Sequence, residues 1–168
     1  MIRVATDGFR HEAIAKIALP GSAILALLLG ITIYVLDRDW ATTLFLAPVA
    51  RYQPESAGLF GSLGHTLPSF FHAYAFSLLL ILALGRAKYA RQIGAAAWFV
   101  LAAGLEAVQA DYFHPLFVSS DAQPGASTVV SSIQSYVVNG QFDPADVAAS
   151  LLGCVAAFVI ASVLEVPK

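Results

Sequence analysis

Residues 143–164 read DPADVAASLLGCVAAFVIASVL: an aspartate, a proline, a second aspartate, then a run from Val147 to Leu164 with no charged side chain. The opening is a helix start. Asp143 can cap it, and Pro144 fits the first turn because its missing N–H would have had no partner there. Asp146 favours the positive end of the helix dipole, and should face inward if it shares a side with Ser150 and Gly153. The uncharged run then approaches the ~20 apolar residues that a bilayer core demands. A helix that enters lipid behind two carboxylates is the element from which the rest of the chain is read.

Three further stretches have the same apolar character: Ile17–Leu36, Leu67–Gly85 and Ile93–Gln109. With Val147–Leu164 they predict an all-α polytopic membrane protein, a bundle of four transmembrane helices in one domain over residues 1–168. Two longer loops, 37–66 and 110–142, would face outward together. Composition agrees, because 58% hydrophobic and 12% charged residues with a mean hydropathy of +0.74 lie far from soluble domains. Arg3, Arg10 and Lys16 give the first segment the look of a secretory signal, but its apolar run is too long and no small-residue cleavage site closes it, so it reads as a retained helix.

Lys and Arg fall unevenly, and cytoplasmic loops keep an excess of them. The amino-terminal tail has Arg3, Arg10 and Lys16, and the turn 85–92 has Arg86, Lys88 and Arg91, whereas residues 110–141 contain none. Both termini of a multi-pass protein of the cell membrane are therefore expected in the cytoplasm. In the first outward loop, Arg38 and Arg51 are offset by Asp37, Asp39 and Glu55. Trp40, Phe45 and Tyr52 suit a segment lying on the membrane surface, and the glycine-punctuated 57–64 reads as mobile. The second loop carries Tyr112, Phe113, His114 and Pro115, a turn-rich patch at 119–127, and Ile133, Tyr136 and Val137 at helical spacing. That spacing predicts a short amphipathic helix over the bundle.

Glu106 is the polar residue hardest to explain as a surface group. A carboxylate near the hydrocarbon region costs roughly 2.5–3.5 kcal/mol on insertion scales unless it is protonated, paired or close to the interface. Gln109 lies on the same helix face, and Gly94, Ala97, Ala102 and Gly104 let this helix pack closely. The expected topology places His72, one to two turns inside the second helix, at the depth of Glu106, Gln109, Asp143 and Asp146. These five form the candidate polar cluster. Two readings stay open for it: a latch pairing His72 with a carboxylate, or a binding or reactive site at the outer leaflet.

The pair Glu106/Gln109, the run Phe142-Asp143-x-x-Asp146-x-x-x-Ser150-x-x-Gly153 and His72 together resemble the VanZ-like integral membrane proteins, over roughly residues 68–157. That family comprises four- or five-helix membrane proteins, named for a member linked to teicoplanin resistance, whose biochemical activity is largely undefined. The chain departs from its pattern at three places. Pro68-Ser69 stands where the family has Asp-Lys, Gly140-Gln141 where it has an arginine before the aspartates, and Ser150 where it has asparagine. The resemblance implies a divergent relative acting in the cell envelope.

Two classes of function fit. One is a non-catalytic accessory or binding module whose partners, besides the lipid bilayer, are other membrane-protein subunits or a lipid or glycopeptide-like ligand. The other is a membrane-embedded enzyme or proton-coupled transporter that uses Glu106 with His72 and Asp146. Gly-rich phosphate loop, His-Glu-x-x-His and Gly-x-Ser-x-Gly signatures are absent from the sequence. The lone Cys154 allows neither an internal disulfide nor a cysteine metal cage, and a metal at His72, Glu106 and Asp146 would want a second imidazole, so no metal and no cofactor is expected. A net charge of -2 without a basic patch gives no support to nucleic-acid binding.

Overall fold

A computed structural model of the chain describes residues 3–40, 47–53, 58–85, 87–110, 112, 113, 115, 137 and 140–164, with side chains of the first helix described from Ala15 onward. Its regular elements are all helical. They are α1 (Arg3–Asp37), a short 3-10 helix (Ala47–Tyr52), α2 (Ser62–Leu84), α3 (Ala90–Ala107) and α4 (Pro144–Leu164). Three contain a stretch long and apolar enough to cross a membrane: Ala15–Asp37, Ser62–Leu84 and Pro144–Leu164. The helix that does not reach that standard is α3, which carries Arg91, Gln92 and Glu106 within its 18 residues.

α2 is the centre of the bundle. It packs most extensively on α4 and α1 and also on α3, while α3 lies against α4 as well. The core is built from small side chains, with Ala23, Ala75, Ala157 and Ala161 fully buried beside Leu78. Small residues let helix backbones approach closely where lipid removes the hydrophobic incentive to associate. The approach is closest at two glycines. A Cβ added at Gly153 of α4 would run into the Phe70 carbonyl and come within 2.9 Å of the Tyr74 nitrogen of α2. One added at Gly94 of α3 would meet Ile81 Cγ1 at 2.6 Å.

Two polar contacts join helices inside the bundle. Ser77 Oγ donates to Cys154 Sγ at 3.2 Å, so the lone cysteine joins α2 to α4 as a packing residue. Tyr74 donates to Ser22 Oγ at 3.2 Å, and Ser22 in turn donates to the Leu19 carbonyl, which ties α2 to α1. On the outside, Ile17 (76% exposed), Leu152 (62%) and Val163 (74%) present hydrocarbon on α1 and α4. Such a surface would associate in water, and it is the ordinary state of a helix in lipid.

Helix limits differ from the sequence expectation at two of the ends that matter for the polar residues. α2 begins at Ser62 rather than Leu67, so its first turn carries Gly64 and His65. α3 stops at Ala107, leaving Val108 and Gln109 in the following turn, where the Gln109 N–H still reaches the Glu106 carbonyl at 3.1 Å. α4 begins at Pro144, as the Asp143-Pro144 pair predicts. The α2–α3 connection is tight. Gly85 (φ 56°) donates its N–H to the Ile81 and Leu82 carbonyls, and Tyr89 (φ 66°) leads into α3.

Of the loop expectations, Trp40 and Tyr52 are described and Phe45 is not. The Trp40 indole donates to the Val35 carbonyl at 2.8 Å, satisfying one of the open carbonyls at the end of α1. The segment expected to be mobile is tied down at one point, because the Phe60 N–H donates to Asp37. The turn-rich patch at 119–127 and the residues Ile133 and Tyr136 of the expected amphipathic helix lie outside the described residues, as does His114. Val137, from the same segment, is buried.

Candidate functional site

The ends of all four helices meet at one face of the bundle, where α1 and α3 finish and α2 and α4 begin. Helix ends leave backbone N–H and C=O groups without partners, and at this face side chains from other helices answer several of them. Asp143 caps α4 as its position predicts: its Oδ1 accepts the Ala145 N–H at 2.8 Å, with Pro144 in the first turn. Glu106, arriving on the last turn of α3, accepts the Asp143 N–H on Oε1 at 2.8 Å. The carboxylate that would be costly in lipid thus sits at a helix N-terminus, where a negative charge is favoured, and it fastens α3 to α4.

Asp146 turns inward with Ser150 and Gly153, all on the side of α4 that faces α2. Ser69 of α2 donates a side-chain hydrogen bond to its carboxylate. The other oxygen, Oδ1, is buried and without a hydrogen-bond partner among the described residues. Asp143 and Asp146 both repel the charge of Glu106, while Arg38 is near enough to stabilise Glu106 and Asp146 alike.

Arg38 stands immediately after α1, and sequence reasoning placed it only among the loop charges. Its Nη2 donates to the His65 carbonyl of α2 at 3.0 Å, its guanidinium lies 5.7 Å from the Tyr34 ring centroid, and its Nε is buried without a partner among the described residues. Gln53 holds the backbone here from both sides, donating to the Arg38 carbonyl and accepting the Trp40 N–H, each at 3.0 Å.

Asp37 is the second residue missed. It is 6% exposed, buried more deeply than any of the candidate carboxylates. Oδ1 accepts the Phe60 N–H at 3.0 Å, just ahead of α2, whose own first turn has no acidic residue and whose N-cap Gly61 offers no side chain. Asp37 therefore supplies the negative charge for the α2 N-terminus from another helix. Oδ2 points at Gly64, where a Cβ would overlap it, and has no hydrogen-bond partner among the described residues. The signals available were an acidic residue closing an apolar run and a glycine at position 64, but nothing in the sequence joined them.

His72 lies elsewhere. Because α2 starts at Ser62, the histidine is about three turns inside the helix rather than one to two. It hydrogen-bonds the Pro68 carbonyl, stacks on Phe76 with ring centroids 6.3 Å apart, and lies against Gly30 of α1. It is not among the groups acting on Glu106 or Asp146; His65, in the first turn of α2, is the histidine whose charge reaches Asp146. Gln109 is buried beside the end of α3 and is engaged. Four of the five candidates thus gather at one end, with His72 below them, and Asp37, Arg38 and Ser69 join the group.

Chemically, the arrangement offers one guanidinium and inward carboxylates on fixed helix ends. Among the described residues no three His, Cys, Asp or Glu side chains are placed to hold a metal ion. The set can receive hydrogen bonds at Asp37 and Asp146 and give one at Arg38. Comparison with known protein families, with curated proteins and with solved structures found no match to this chain.

Proposed function

We propose that this chain is a VanZ-like small integral membrane protein of the cell envelope, acting as a non-catalytic accessory or binding module through the polar end of its bundle. In this reading α3 crosses the membrane with the other three helices, both termini are cytoplasmic, and the polar end lies at the outer leaflet. Its ligand is a lipid head group, a glycopeptide-like molecule or a neighbouring membrane protein. One observation carries the reading: Arg38 Nε and Asp146 Oδ1, a donor and an acceptor on charged side chains within electrostatic reach of each other, are both buried and unpaired among the described residues. Leaving such a group unsatisfied costs about 1–3 kcal/mol, and more when it is charged. A ligand presenting both an acceptor and a donor would recover that cost.

Glu106 supports a structural part in this scheme rather than a proton carrier's, since its Oε1 is committed to the Asp143 backbone. The test is extraction from native membrane in mild detergent followed by mass spectrometry of the intact complex, comparing the wild type with Arg38→Gln and Asp146→Asn. A bound species retained by the wild type and lost from both variants supports the reading. Bare protein in all three would refute it. Glu106→Gln separates the alternative, an enzyme or proton-coupled transporter. The amide oxygen still accepts the Asp143 N–H, so the complex should survive, whereas a proton-carrying role would be abolished.

A further inference from the structure

At the opposite end of the bundle, α2 and α3 leave between them an apolar groove of about 490 Å³, lined by Phe76, Leu79, Leu80, Ala83, Ala97, Trp98 and Leu101. It forms because the two helices touch hard at Gly94 and Ile81 and again where the Phe76 and Trp98 rings stack with centroids 4.5 Å apart. The small Ala83 and Ala97 cannot fill the space beside those contacts. Ala83 is on the last turn of α2, so the groove reaches the tight connection to α3. That connection is basic and without an acidic residue. Lys88 is exposed with its ammonium 4.8 Å from the Tyr89 ring centroid, Tyr89 itself is exposed at the helix end where aromatic residues anchor to an interface, and Arg91 follows on the first turn of α3.

We infer that the α2–α3 hairpin binds one anionic phospholipid, with an acyl chain along the Phe76–Trp98 groove and the phosphate at Lys88 and Arg91. The groove is lined by hydrocarbon, and charge complementarity at its open end selects the head group. Basic pockets between transmembrane helices take anionic head groups in this way, each Lys or Arg near the surface contributing about a fivefold preference. The inference rests on the proposed crossing of α3.

Trp98 reports on it directly. In a Trp40→Phe background, Trp98 is the sole tryptophan, and the protein can be reconstituted in phosphatidylcholine vesicles doped with brominated phosphatidylglycerol or brominated phosphatidylcholine. The anionic quencher should act at about a fivefold lower mole fraction for each basic side chain engaged. Lys88→Gln combined with Arg91→Gln should make the two curves coincide, and Ala97→Leu, which fills the groove, should weaken quenching by both lipids. Equal quenching in the parent, or a preference that survives loss of both cations, overturns the inference while leaving the crossing intact. Blue-shifted emission protected from both lipids would mean that a protein surface, such as a second copy, fills the groove, and also overturns it. Red-shifted, unquenched emission would place α3 in water and overturn the crossing as well.

Discussion

The two ends of this bundle handle charge in opposite ways. At the end where α2 and α4 begin, Asp37 and Glu106 each accept a backbone N–H at the start of another helix, Asp143 caps its own, and Arg38 reaches across to α2. At the α2–α3 turn, Lys88 is exposed, with its ammonium over the neighbouring Tyr89 ring. Charge in the first case is part of the frame, because a helix terminus needs an opposite partner and desolvation makes its loss expensive. At the second, Lys88 is exposed and its charge points to the outside. The same residue types therefore carry different information at the two ends.

That contrast can be broken experimentally, most strongly at Gly64. Gly64→Ala places a methyl group against the buried Asp37 carboxylate, and moving that carboxylate costs the Phe60 bond as well. About 3 kcal/mol or more of stability should be lost, read as a large fall in melting temperature in detergent. A wild-type melting temperature would show that Asp37 is not held where the contrast requires. Next comes the α3–α4 fastening. Glu106→Ala should cost about 1.5–3 kcal/mol, as for a hydrogen bond to a charged group, while Glu106→Gln should recover most of it. Equal losses for the two would mean that the charge, and not the hydrogen bond to Asp143, is what matters.

Asp143→Ala removes only the cap of α4 and should cost about 1 kcal/mol, with Asp143→Asn or Asp143→Ser restoring it. Faster amide exchange at Ala145 is the local sign of that loss. Lys88→Gln at the other end should change stability in lipid-free detergent by no more than about 0.5 kcal/mol. A larger loss there would make the two ends alike and remove the basis of the comparison.

How far the sequence revealed this follows from where each partner lies in the chain. The α4 entry was readable because Asp143, Pro144 and Asp146 are neighbours whose roles depend on local geometry alone. Glu106 stood out because a charge in an apolar run demands an explanation. It stands beside the start of α4 because α3 ends where α4 begins, with Glu106 accepting the Asp143 N–H. His72 was misplaced because the helix limit was: apolarity marks only the later part of α2, whereas Ser62–Thr66 are polar enough to hide the earlier start. Asp37 and Arg38 were read as loop charges because nothing within several residues of them hints at Phe60, Gly64 or His65.

The sequence by itself determined the helical character of the described elements, three of the four stretches it marked as long and apolar enough for a membrane, the cap of α4 and the uneven placement of Lys and Arg. These depend on composition and on contacts within one turn, which the order of residues encodes directly. Only the tertiary structure decided that Arg38 faces Glu106 and Asp146, that Asp37 serves the start of α2, that Ser69 rather than His72 meets Asp146, and that a groove opens beside Trp98. Each of those depends on how closely the helices pack and in what register. Glycines 64, 94 and 153 permit the packing, but their meaning appears only when the opposing backbone is in place.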